Sequence, residues 1–325
     1  MIIVKYKGGL GNQMFQYAMQ LALEKKYGKQ QVMSDISHYL LQNEHNGYEL
    51  ETVWGLRLTN ASKEMIRKLS PYYYPGKLFF CLPEGWKRII RDKLQHRYKE
   101  RKIKNDTNVI NCYYRQQEHC SYEPAVWMLE ETKDWYLDGL WQNIKYWEGI
   151  QPDIRRAFCF QNESRYTDRD ILWKKQIENS CSISIHVRRG DFINSKFDIC
   201  SPGYYESAMQ KLQQELEKSD VDTGNLRYFF FTDDAAYVEE VFRHISNKEV
   251  IRHKTEEAIL DMELMSLCKH HIISNSTFAW WAAWLDDKED ALVIGPSCSV
   301  RKPGIDYPLS APADWILLEA ASEAQ

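Results

Sequence analysis

The chain has 325 residues, 44% of them apolar and 27% charged, with a formal net charge of −4. This length exceeds one typical hydrophobic core and favours two domains of ordinary size, and the composition is that of a soluble globular protein. The mild negative charge argues against a general nucleic-acid binder, and no apolar run approaches the roughly 18 residues of a membrane span.

The opening MIIVKYKGGLGNQ has no basic n-region, no long apolar stretch and no small-residue cleavage site. No secretory signal is therefore expected, and the cytoplasm is the expected compartment. Residues 2–6 read as a short buried strand. The glycine loop GGLG at residues 8–11 follows, and then a helix with Met14, Phe15, Ala18, Leu21 and Ala22 at helical spacing. Asn12 is expected to cap that helix. A strand, glycine loop and helix in this order can set a helix N-terminus against an anion. They can equally form a tight turn with close helix packing, and the loop is not G-x-G-x-x-G.

Residues 40–130 offer no motif of this kind. SPYYYPG at residues 70–76 is a loop signal. Residues 77–104 carry ten Lys and Arg against three acids, and Trp86, Ile89, Ile90, Lys93 and Leu94 form an amphipathic stripe. The tract reads either as a surface helix touching anionic lipid, which would place the protein on the inner membrane face, or as a solvated helix packed on its own domain. The chain turns polar between Trp147 and Asn179, and the domain break is set near residue 150, giving domains 1–150 and 151–325.

From residue 181 the pattern becomes regular. Strands are expected at residues 183–187, 227–232, 249–251, 271–274 and 291–295. Helices are expected at 205–219, from about Ala235, at 258–268 and at 277–285. The alternation implies right-handed βαβ units and a parallel, doubly wound sheet, whose ligands bind beyond the carboxyl ends of the strands.

Three polar clusters fall at such ends: His186, Arg188, Arg189 and Asp191; Thr232, Asp233 and Asp234; and Ser274, Asn275, Ser276 and Thr277. A parallel sheet brings them to one edge, where together they suit a nucleoside diphosphate. Arg presents a planar fork of donors to phosphate oxygens. The Ser/Asn/Thr cluster opens a helix, whose free amides favour an anion. The acids can accept from ribose hydroxyls or a guanine edge, or can hold a divalent metal, although TDD lacks D-x-D spacing. Each cluster taken alone can also be a salt bridge or a helix cap. The eight Cys include no C-x-x-C pair and read as reduced thiols. The 20 Tyr and 11 Trp suit carbohydrate stacking or ordinary core packing.

HVRRGD matches the H-x-R-R-x-D motif of α1,2-, α1,6- and protein O-fucosyltransferases. With GGLGNQMFQYA, SPGYYESAM, FFFTDD and SNSTFAWWAAWL, the chain resembles the α1,2-fucosyltransferases of glycosyltransferase family 11. The resemblance implies an α/β, GT-B-like fold: two Rossmann-like domains facing across a cleft, acceptor-side at 1–150 and GDP-fucose-binding at 151–325. It implies inverting transfer of L-fucose from GDP-β-L-fucose to the 2-hydroxyl of a terminal β-galactose, on an acceptor such as lactose or a lipid-linked oligosaccharide, with no metal or other cofactor. Arg188 would clamp the pyrophosphate. His186 and Asp233 or Asp234 would lie near the nucleoside. Ser276 and Thr277, beside Asn275, would contact phosphate. Asn12, with Gly9 and Gly11, would approach the diphosphate or the transferring sugar. Arg189 would join the nucleotide site or brace its loop through Asp191, and Asp191 is either general base or salt bridge. The alternatives are another linkage, another GDP-sugar, or a non-catalytic glycan- or nucleotide-binding protein on the same fold.

Overall fold

The computed structural model describes residues 1–41, 45–70, 82–83, 85–87, 89–90, 109–110, 112–160, 165–219, 223–302 and 305–320. Its contacts divide the chain into two units, Met1–Ile154 and Arg155–Gln325. Most of the basic tract 77–104 lies outside the described residues; within it, Trp86 and Ile89 are exposed. Among the described residues no helix is long and apolar enough to cross a membrane.

The first unit is built on a five-stranded sheet. Its strands are β1 (Ile2–Lys5), β2 (Val32–Asp35), β3 (Val109–Ile110), β4 (Tyr113–Arg115) and β5 (Trp135–Asp138), in the order β2-β1-β5-β4-β3. All pairs are parallel except β3 with β4. Helix α1 (Leu10–Tyr27) follows β1 and buries Met14, Phe15, Ala18, Met19 and Leu23. The same helix also buries three glutamines, Gln13, Gln16 and Gln20, each of which hydrogen-bonds to neighbouring loops or side chains. The order reverses at β1: the chain first adds β2 on one side, and later strands build up on the other.

The second unit carries six parallel strands: β6 (Cys181–Val187), β7 (Leu226–Thr232), β8 (Lys248–Ile251), β9 (His270–Ile272), β10 (Val293–Pro296) and β13 (Ile316–Leu318). A separate antiparallel ribbon pairs β11 (Cys298–Lys302) with β12 (Ile305–Pro308). The six-stranded order is β13-β10-β9-β6-β7-β8. Counted by chain position this is 3-2-1-4-5-6 read from β8, the Rossmann order, with its switch point between β6 and β9. All seven residues of β6 are buried, as expected of a central strand covered on both faces. Its serines are satisfied: Ser182 Oγ accepts from Lys269 N, and Ser184 Oγ pairs with His271 Nδ1 at 2.8 Å.

The expected α/β architecture of two Rossmann-like, GT-B-like units is what these sheets form. Helix α2 (Pro202–Lys218) starts earlier than its apolar pattern suggests, because Ser201 caps it and Pro202 occupies its first position, where a missing N–H costs nothing. Helix α3 (Thr277–Leu285) has the expected bounds. Its tryptophans do not form an exposed sugar platform: Trp280, Trp281 and Trp284 are buried, and Trp281 meets Phe158 edge-on at 5.2 Å.

Candidate functional site

The three polar clusters converge at the carboxyl edge of the second unit's sheet. β6 and β9 are adjacent and parallel, and side chains at their carboxyl ends meet: His186 Nδ1, near the end of β6, lies 2.9 Å from Ser274 Oγ, just beyond β9, across the switch point. Ser274 Oγ also accepts from Ser276 N at 3.2 Å. Burial and the charge on Arg188 push His186 down to about 3, so its imidazole is neutral near pH 7.

Arg188 leaves β6 and is gripped by acids from two strand ends. Its Nε and one terminal nitrogen reach Asp191 Oδ1 at 3.0 and 2.6 Å. The other terminal nitrogen stands 2.7 Å from Asp233 Oδ2. Asp233 also accepts the Arg189 backbone N–H at 2.8 Å, which ties the β6 loop to the end of β7. This closeness explains Gly190: a Cβ there would stand 2.7 Å from Asp233 Oδ2. The guanidinium of Arg189 lies over the Tyr237 ring at 3.8 Å, and its Nε is 4.0 Å from Asp234 and has no hydrogen-bond partner among the described residues. Asp234 caps the helix Ala235–Val241 by accepting from Tyr237 N.

The remaining expected residues play different parts. Asn275 is committed to the loop itself: its amide donates to the carbonyls of Phe197 and Ser299 and accepts from the Cys200 thiol. Its side chain is therefore a brace for the loop, and both of its amide donors are already used, which leaves none for the expected nucleotide contact. Ser276 caps α3 by accepting from Phe278 N, and Thr277 is the first residue of that helix. Among the described residues no group of three or more His, Cys, Asp or Glu side chains is placed to hold a metal ion.

In the first unit the glycine loop is held from several sides. Tyr39 Oη and Gln13 Nε2 donate to the Gly8 carbonyl, and Gln16 bonds both the N–H and the carbonyl of Lys7. Gly9, not Asn12, occupies the cap position of α1, and no side chain caps that end. Asn12 lies inside the first turn because the tight loop carries the helix start to Leu10, and its Oδ1 accepts from Gln142 Nε2 at 2.7 Å. Gly8 has φ +80°, and a Cβ there would stand 2.5 Å from Asn12 Nδ2. Gly9 packs on His45, and Gly11 is buried in the helix.

Sequence reasoning missed a second polar set at this edge. Asp138, at the end of β5, is almost fully buried between Lys5 (3.2 Å) and Lys7 (2.6 Å) and accepts from Tyr113 Oη at 2.5 Å. Burial opposes its charge, yet the two lysines and these hydrogen bonds hold its carboxyl well below the usual range. The sequence signal was DGLWQN at residues 138–143, a polar run closing the short strand WYLD.

The family model for Glycosyl transferase family 11 matches residues 82–301. An O-antigen biosynthesis glycosyltransferase, WbnK of Escherichia coli, is 32% identical over 89% of this chain and 91% of its own length. An alpha-1,2-colitosyltransferase of Escherichia coli is 25% identical over 98% of this chain and 99% of its own. A galactoside 2-alpha-L-fucosyltransferase of Caenorhabditis elegans is 22% identical over 52% of this chain and 48% of its own.

Proposed function

The chain belongs to glycosyl transferase family 11, and from that premise we propose that it transfers L-fucose from GDP-β-L-fucose to the 2-hydroxyl of a terminal β-galactose, with inversion. The observation that carries this reading is Arg188 at the switch point, beside a neutral imidazole and a helix N-terminus. Departure of GDP leaves charge on the β-phosphate and an oxocarbenium-like sugar, and preorganised donors stabilise that charge. Arg188 is the main donor, and Ser276 and Thr277 offer hydroxyl and backbone donors at the start of α3. His186, kept neutral, contributes a ring N–H without adding charge. Asp233 and Asp234 serve the nucleoside side, and Arg189, stacked on Tyr237, stiffens the loop.

In the free protein Asp191 occupies two of the Arg188 nitrogens. It is the more exposed of that arginine's two partners, and the entering diphosphate takes over its bonds. Asp191 thus holds Arg188 in place until the diphosphate enters, and the dissociative transition state needs little help from a base. In the first unit Asn12, in the loop with Gly9 and Gly11, donates to a substrate oxygen. The reaction runs without a metal.

A second reading is favoured by one relative: the colitosyltransferase aligns along nearly the whole chain. Colitose is L-fucose without its 3-hydroxyl, so both readings use one diphosphate grip and differ in a single contact to the sugar. Transfer of labelled sugar from GDP-fucose and from GDP-colitose to lactose, with EDTA present, separates them. Efficient transfer from GDP-fucose and an α1,2 linkage in the product support the first reading. No transfer of fucose to any terminal galactoside overturns it.

A further inference from the structure

We infer that Gln142 is a positioning residue for the transfer site: it fixes the Asn12 amide so that Nδ2 is presented as a hydrogen-bond donor to a substrate oxygen. The inference rests on the proposed role of Asn12 and adds the residue that sets its orientation.

The chain of bonds has a direction. The Cys120 thiol donates to Gln142 Oε1, at 3.4 Å between sulfur and oxygen. This leaves the Gln142 NH₂ to donate, and it meets Asn12 Oδ1 at 2.7 Å. With its oxygen used as an acceptor, Asn12 is left with a donor group, and among the described residues Nδ2 meets no acceptor. That NH₂ lies against Gly8, where a Cβ would come within 2.5 Å, so the loop has room for it only because residue 8 is glycine.

The segment that carries Gln142 is held by an unusual number of bonds. Trp141 has φ +56°, a left-handed conformation that costs a bulky residue of order 1–3 kcal/mol. Gln116, almost fully buried, compensates by accepting from the backbone N–H of both Leu140 (3.0 Å) and Trp141 (2.9 Å). Its amide then donates to the carbonyls of His119 and Ser121. Gln142 N donates to His119 O at 3.0 Å, and Asn143 Nδ2 donates to Cys120 O at 2.7 Å. Gly139 makes room, because a Cβ there would collide with both the Trp141 ring and Gln116. Strain of this kind persists only where the surroundings over-determine it, and its effect here is to deliver one amide, that of Gln142, to Asn12. The placement agrees with the topology. β1 and β5 are adjacent and parallel, the order reverses between them, and the residues joined are those that follow each strand.

A double-mutant cycle on the full-length protein tests the inference. Gln142→Met keeps the chain length and removes the bond. It is expected to lower kcat by roughly 10- to 100-fold while KM for GDP-fucose stays within about twofold. Asn12→Ala is expected to cost as much, and the double variant no more than Asn12→Ala alone, because Gln142 acts through Asn12. Wild-type kcat in a folded Gln142→Met protein overturns the inference, and so do losses that multiply in the double variant. Gln142→Glu serves where Gln142→Met does not fold: an ionised carboxylate cannot donate to Asn12 Oδ1, so kcat falls, and unchanged kcat again overturns the inference. If the wild type itself transfers no fucose, the proposed reaction fails and the positioning role is read without it. In protein labelled with [¹⁵N]Asn, the Asn12 side-chain amide, assigned by its loss in Asn12→Asp, shifts in Gln142→Met. An unmoved resonance overturns the inference.

Discussion

The two units place different chemistry at the same topological position. In the second unit the bridge across the switch point is His186 to Ser274, surrounded by Arg188, Arg189, Asp191 and Asp233. In the first it is Asn12 to Gln142, two neutral amides, and the charged groups Lys5, Lys7 and Asp138 pair with one another at the strand ends. A charged strand-end cluster suits an anion, which must be held against water with strong, long-range attraction. A neutral amide pair suits a sugar hydroxyl or a bridging oxygen, where direction matters more than strength. The carboxyl edge thus carries an arginine–carboxylate cluster in one unit and an amide pair in the other.

The largest expected effect breaks the charged side. Arg188→Ala should lower kcat/KM by about 10²–10³ or more, as loss of one preorganised donor does, and weaken GDP binding in calorimetry. The fold should survive, since Arg188 lies on the loop beyond β6 and not in its core. Near-normal transfer by a folded Arg188→Ala protein removes the diphosphate grip from the account. Arg189→Lys should cost less than Arg188→Lys, because Arg189 stacks on Tyr237 and its backbone, not its side chain, holds Asp233.

The neutral side should fail differently. Asn12→Ala is expected to lower kcat by roughly 10- to 100-fold, with GDP affinity kept within about twofold. Arg188 and Asn12 variants that weaken GDP binding equally would erase the distinction between the two switch points.

The charged side was legible in the sequence because two of its three clusters close seven-residue strands, and the third, after the short β9, opens the apolar helix α3. SISIHV and RYFFFT announce central strands, and the side chains after them must share an edge. The neutral side was largely hidden. β5 is four residues long, and β3 and β4 are shorter still, so no periodicity marks them. Gln116, Trp141 and Gln142 carry no charge pattern, and their role depends on a left-handed tryptophan that no propensity foretells. Asn12 was singled out but given the wrong local part, since a side chain fit to cap a helix says nothing of where the loop lets that helix begin. Asn275 shows the reverse: it sits within a motif, yet its donors serve the loop.

A pair of glycines sharpens the comparison at smaller cost. Gly190→Ala pushes a methyl against Asp233 Oδ2 and should weaken GDP binding about fivefold by disturbing the Arg188 pair. Gly8→Ala pushes against Asn12 at a positive φ and should lower stability by about 1–2 kcal/mol, with kcat falling and GDP affinity kept. Denaturant unfolding and calorimetry on both variants check the pair. A shared effect on GDP binding would count against separate tasks.

The smallest effect on activity is expected at His253, beyond the edge strand β8. Its Nδ1 lies 2.6 Å from Asp261 and its Nε2 2.8 Å from Asp170. Burial opposes its charge, but the two carboxylates raise it to about 9. A raised histidine contributes stability that is full below its unfolded value near 6.5 and is lost as pH rises through about 9. His253→Gln should therefore cost roughly 2–4 kcal/mol at pH 6, a gap that narrows by pH 10, while transfer at pH 7 stays within about twofold. His186 carries the opposite sign. Held down to about 3, it stays neutral in the fold while the unfolded chain takes up a proton, so it destabilises the protein as pH falls from about 6.5 towards 3. Urea unfolding of His253→Gln and His186→Gln across pH 4–10 separates the two slopes. Parallel slopes would mean that His186 is not the neutral bridge on which the charged switch point is built.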